Sequence, residues 1–208
     1  MLESVFLKSS ALETVKGLAH DEVVCVLPYI DHALAQRLEE VLRVRAKQPG
    51  YLVLVEDDAR LGFMMVANLV YSWTRSPFFA YLAQDAFPGE YWLRTAVTTF
   101  RETQAGLLAF NDGRFFGTLA VFGMVRRDWL KTIYPRFLFH PGYASHFGDT
   151  ELTTIAYLRD MLFFNPAALL MEVDYEKHKK GHNEADAGLY RQRAATGFDG
   201  LVEPFEAQ

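Results

Sequence analysis

Val23-Val24-Cys25-Val26-Leu27-Pro28-Tyr29 is the stretch on which the fold turns. Five apolar residues in a row, three of them valine, followed by proline, spell a strand buried on both faces. Such strands belong to parallel sheets, because covering both faces removes any need for a polar alternation. Downstream, Asp31 caps a helix from about 32 to 47, with Leu34, Leu38, Val41 and Leu42 on one face. Pro49-Gly50 breaks it. Tyr51 to Val55 is a second short strand, followed at once by Glu56-Asp57-Asp58. A second helix covers Gly62 to Trp73, and Phe78 to Leu82 is a third strand leading to Gln84-Asp85. Strand, helix, strand, helix, strand over some sixty residues predicts parallel pairing with right-handed crossovers. Ligands of such sheets bind beyond the C-terminal strand ends. The polar groups there are Pro28-Tyr29, Glu56-Asp57-Asp58 and Asp85.

The second half is less regular. The expectations are a helix over 90–100, a strand over 105–110 closed by Asn111-Asp112-Gly113, a strand over 118–125 and a helix over 149–164. Asn165-Pro166 ends that helix, and a final strand runs from Ala167 to Val173. His140 and His146 read as packing residues, and Arg126-Arg127 as surface.

Composition bounds the class. The 208 residues are half hydrophobic and 14% aromatic, enough for one core and against disorder. The net charge of −5 argues against nonspecific binding of bare nucleic acid or anionic lipid. The single cysteine, Cys25, excludes an intrachain disulfide and reads as a buried thiol, consistent with a reducing compartment. No apolar patch is long enough to span a bilayer, so the chain reads as soluble and cytoplasmic. The expected organisation is a lead-in over 1–22, one catalytic domain over 23–178 and a polar, mobile tail over 179–208.

Several motifs, in order, resemble inverting family-2 glycosyltransferases with the GT-A fold. Val23 to Tyr29 resembles the family's first strand, and Gly62 and Asn68 repeat its Gly and Asn spacing. Tyr81-Leu82-Ala83-Gln84-Asp85 stands where the family has Asp-x-Asp. Leu107 to Gly113 and Phe122 to Arg127 resemble its acceptor-side strands. Gly148-Asp149-Thr150-Glu151-Leu152 resembles its Glu-Asp motif at a helix start. The resemblance implies a single Rossmann-like α/β domain that moves a sugar from a nucleotide-sugar donor, a UDP-sugar, to a hydroxyl with inversion. Pro28 and Tyr29 would flank the nucleotide, Asp57 or Asp58 would contact the base, and Gly62, Asn68 and Gln84 complete the donor site. Asp85 and His178 would hold Mn2+ or Mg2+ on the diphosphate. Asp149 would be the base and Glu151 its support or substitute.

The chemistry needs these types. Departure of a nucleoside diphosphate builds negative charge, which a hard cation on oxygen ligands offsets. A hydroxyl nucleophile needs a carboxylate on the opposite side of the anomeric carbon. An aspartate in the first turn of a helix keeps its charge in the field of the helix dipole. Two departures stand out: Asp-x-Asp is reduced to one acid, and Gly148 replaces the glutamate before the base. They support an alternative, an inactive GT-A-like domain that binds a nucleotide or a partner protein. The acceptor stays open among a glycan, a protein, a small molecule and a modified DNA base, and oligomeric state is not legible.

Overall fold

The computed structural model describes residues 1–14, 17–173 and 183–207. His178, the expected metal ligand, lies outside the described residues. The strands are β1 (Leu2–Lys8), β2 (Val23–Tyr29), β3 (Gly50–Glu56), β4 (Phe78–Tyr81), β5 (Ala86–Pro88), β6 (Leu107–Asn111), β7 (Gly123–Arg126) and β8 (Leu162–Glu172). The helices are α1 (His32–Ala46), α2 (Phe63–Trp73), α3 (Trp92–Glu102), the single turn α4 (Arg127–Leu130), α5 (Gly148–Leu158), α6 (Glu184–Ala194) and the short turn α7 (Gly197–Gly200).

The eight strands form one sheet in the order β1-β3-β2-β4-β7-β6-β8-β5. β1, β2, β3 and β4 are mutually parallel, and β6 pairs parallel with β8. β7 runs antiparallel to both β4 and β6, so β6 and β8 point the same way as β4. The C-terminal ends of six strands therefore share one edge.

Alternation within the central strands feeds two separate cores. Val24, Val26, Val53 and Val55 face one layer with α2, α5 and α6. Val23, Cys25, Leu27, Leu52 and Leu54 face the other with α1 and α3. Every residue of β2 is buried, as its unbroken apolar run requires. Cys25 is a free, buried thiol, and burial pushes its pKa up. Asp31 caps α1, its side chain accepting from the Leu34 N–H at 2.9 Å. Gly50 allows the close approach of β3 to β2: a Cβ there would lie 2.7 Å from the Val23 carbonyl oxygen. Among the described residues no helix is long and apolar enough to cross a membrane.

Three expectations change. Leu2–Lys8 is no mere lead-in but a strand in full register with β3. The helix expected to reach 164 ends at Leu158, and Leu162–Glu172 is a single strand running through Asn165-Pro166. The β6–β8 register shifts between Ala109 and Asn111, and such an irregularity is where a strand tolerates proline. Residues expected as a strand from 118 enter the sheet only at Gly123, and the preceding loop is gathered by Asp112 instead. Asp112 Oδ1 accepts the N–H groups of Arg114 (2.9 Å) and Phe115 (2.8 Å).

Candidate functional site

A cleft of about 840 Å3 opens at the common strand edge. β4 delivers Gln84 and Asp85 to it, β6 delivers Arg114 and Phe115, β8 delivers Glu172, and the start of α5 delivers Asp149. His146 and Phe147 close it from the loop before α5.

Gln84 ties its loop to the end of β2, its Oε1 accepting the N–H groups of Ile30 (2.9 Å) and Asp31 (3.2 Å). The Asp85 carbonyl accepts the Val173 N–H at 3.0 Å, which sets the aspartate beside the end of β8. Arg114 pairs with Glu172 at 3.0 Å and lies over the Phe115 ring, 4.6 Å from its centroid. Asp149 is half-buried in the first turn of α5, and its charge adds to the burial that pushes the Tyr81 phenol up. Gly148 lets α5 begin tight against α2: a Cβ there would come 2.8 Å from Met64 Sδ and 3.2 Å from Phe139 Cβ.

Of the expected site residues that the structure describes, Gln84, Asp85 and Asp149 meet in this cleft, and the other described ones do not line it. Pro28 and Tyr29 are buried in β2, the tyrosine hydroxyl 3.2 Å from His32 Nδ1. Asp57 folds its own loop, accepting the N–H groups of Leu61 and Gly62, both at 2.8 Å. Gly62 adopts a φ of 83°, a conformation that favours glycine, and begins α2. Asp58 points to Ser9 and Ser10; the Ser10 N–H and hydroxyl, at 3.0 and 2.7 Å, hold its carboxyl down at about 2. Asn68 is buried and clamps the loop ahead of α5: Oδ1 accepts Leu138 and Phe139 N–H at 2.9 Å, and Nδ2 donates to the Phe139 carbonyl at 3.1 Å.

Glu151 departs most. It is fully buried, two residues from Asp149, and faces the protein interior. Arg193 of α6 grips it through Nε at 2.7 Å and Nη2 at 2.8 Å; Tyr143 donates at 2.6 Å, and Tyr134 also donates to it. Burial first, then the Glu151 charge, pushes the Tyr134 phenol up. These contacts tie α5 to α6 and to the loop before α5.

Arg114, His146 and Glu172 are the cleft residues that sequence reading missed. Asn111-Asp112-Gly113 passes for a plain turn, and the signal was the cation placed directly after it at a strand end. Among the described residues no group of three or more His, Cys, Asp or Glu could hold a metal ion. A lone carboxylate such as Asp85 would suit a hard cation in kind only if a bound phosphate-bearing molecule supplied further oxygen ligands, an arrangement common for Mg2+.

No protein-family model matches the sequence, and no curated protein gives a significant match. Among solved structures, the mannosyltransferase PcManGT from Pyrobaculum calidifontis, in complex with GDP-Man and Mn2+, is similar with a TM-score of 0.56 and 12% identity. The match covers 81% of this chain and 63% of that one, so the chain spans under two thirds of that protein's length. At this identity the likeness concerns architecture alone: the chain shares a Rossmann-like α/β fold with that protein.

Proposed function

We propose that the chain is a glycosyltransferase that moves a sugar from a nucleotide-diphosphate donor, a UDP-sugar, to a hydroxyl acceptor with inversion. One observation carries the reading: on a fold shared with a nucleotide-sugar enzyme, Asp85 and Asp149 line the same cleft at the strand ends.

In this reading Asp149 takes the proton of the acceptor hydroxyl as that oxygen attacks the anomeric carbon. Arg114, held by Glu172, offers positive charge to the departing diphosphate. Asp85 would hold a divalent cation, with His178 as a second ligand; when bound, such a cation stabilises charge on the leaving group. Gln84 positions the loop between β2 and α1, where the nucleotide would lie. The Asp57 carboxylate serves its own loop and the Asp58 carboxylate is taken by Ser9 and Ser10, so base recognition in this reading falls to backbone groups there. A second cavity of about 510 Å3 adjoins the cleft through Leu119 and Thr150 and gives the acceptor an approach to Asp149.

The reduction of Asp-x-Asp to Asp85 favours a second reading, an inactive domain that binds a nucleotide or a partner protein. Incubation with UDP-sugars and with GDP-mannose, with Mn2+, separates the two. Release of UDP, abolished in Asp149→Asn, supports transfer. Donor binding without release of nucleotide under any acceptor supports the inactive domain, and no nucleotide binding at millimolar concentration sinks transfer and leaves only a domain that binds a partner protein.

A further inference from the structure

The opposite edge of the sheet, where β4 begins and β7 ends, gathers cations. Arg127 is buried, 7% exposed, with its guanidinium 4.1 Å from the Tyr71 ring centroid and 4.8 Å from that of Phe79. It donates from Nη1 to the Tyr71 carbonyl at 2.9 Å and from Nη2 to the Thr74 hydroxyl at 2.6 Å. A guanidinium carries five N–H donors. Arg127 Nε and the Tyr71 hydroxyl are both buried without a well-formed hydrogen bond among the described residues, and the proximity of Tyr71 favours the charge on Arg127. The influences on its charge are burial and Tyr71, with no carboxylate among them, and burial pulls its pKa down to about 10. A buried cation without a counter-charge is costly, and an anion would offset that cost.

The surroundings supply the rest of an anion site. Arg127 lines a cavity of about 610 Å3 with Arg75, Lys131 and Arg136 and with the hydroxyl-bearing Ser72 and Ser76. No acid lines it. Asp128 pairs with Lys131 at 2.9 Å but is 89% exposed. Four cations around one concavity, in a chain of net charge −5, form a local feature. A nucleic-acid backbone is held by a run of contacts along a surface; cations gathered around one concavity suit one compact anion.

We propose that this cavity binds a small phosphate-bearing ligand, free phosphate or a phosphate monoester, at a site separate from the cleft. Separation follows from topology: the cleft lies beyond the C-terminal end of β4, this cavity before its N-terminal end.

The test is isothermal titration of the full chain with inorganic phosphate, and then with glucose 6-phosphate, in chloride buffer with and without saturating UDP. One phosphate per chain should bind, undisturbed by UDP. A Lys131→Gln/Arg136→Gln double variant, both positions exposed, should bind phosphate at least about tenfold more weakly, since each charged hydrogen bond is worth over 1 kcal/mol. Arg127→Lys, verified as folded by circular dichroism, should weaken binding in the same direction. Absence of phosphate binding, its displacement by UDP, or an unchanged double variant would each overturn the proposal. So would a short DNA duplex that displaces phosphate with steep salt dependence.

Discussion

Asp149 and Glu151 are two residues apart on one helix turn, and their environments divide their roles. A positioned base contributes roughly 10²–10⁴-fold to rate. Asp149→Asn should lower turnover by about that factor while leaving donor binding intact, measured by initial rates and by titration with UDP. Glu151→Gln should act on stability, because breaking one side of a buried ion pair costs roughly 3–5 kcal/mol. Its urea midpoint should fall well below that of Asp149→Asn; an unchanged midpoint with lost turnover would reverse the two roles. Asp58 gives a pH test. Its folded pKa of about 2 lies below the ordinary 3.8, so its contribution to stability is present above about 3.8 and is lost as pH falls to about 2. The stability gap between the native chain and Asp58→Asn should be full at neutral pH and close between about pH 4 and pH 2. A gap unchanged across that window would mean the Ser9–Ser10 contacts do not hold the charged form. Asp149 and Asp85 were legible because acids at a helix start and a strand end have a local signature. The burial of Glu151 was not, because Arg193, forty-two positions away, supplies it.

α6 builds the site from outside the expected catalytic domain. Asp186 in its first turn accepts the N–H groups of Ala144 (3.0 Å), Ser145 (2.9 Å) and His146 (2.8 Å), and so shapes the loop that carries His146 into the cleft. Arg193 in its last turn holds α5 through Glu151. Asp186→Ala leaves three N–H groups without this acceptor and should cost about 1–3 kcal/mol. Turnover per folded molecule should fall as well, because a shift of about 1 Å in a positioning element can cost 10²-fold. Stability lost with full turnover retained would show that the loop does not position the cleft. The sequence between 183 and 207 is polar and glycine-containing, which is why it reads as a tail. Its charges reach distant elements and Tyr190 and Ala194 pack in the core, while its Asn183 cap, accepting from Ala185 N–H at 2.9 Å, is local.

At the scale of the molecule, ligand binding should appear as stability. A donor at a hundred times its dissociation constant raises unfolding free energy by about 2.7 kcal/mol. UDP-sugars should therefore raise the thermal midpoint, more with Mn2+ than with EDTA, and Asp85→Asn should remove the metal-dependent part. Equal shifts with and without Mn2+ would remove Asp85 from any metal role. The sequence alone determined the parallel half of the sheet, since Val23–Leu27 and Tyr51–Val55 are apolar on both faces and can be satisfied only between two layers. It determined the Asp31 cap and the burial of Cys25 for equally local reasons. Tertiary structure alone decided that Leu2–Lys8 joins the sheet, that Asn165-Pro166 lies within a strand, and that Arg114 meets Asp85 and Asp149 in one cleft. Those outcomes depend on partners far along the chain, so local pattern carries no trace of them. The same holds for Arg127: a basic residue after a strand reads as surface, and the rings of Tyr71 and Phe79 make it a buried cation.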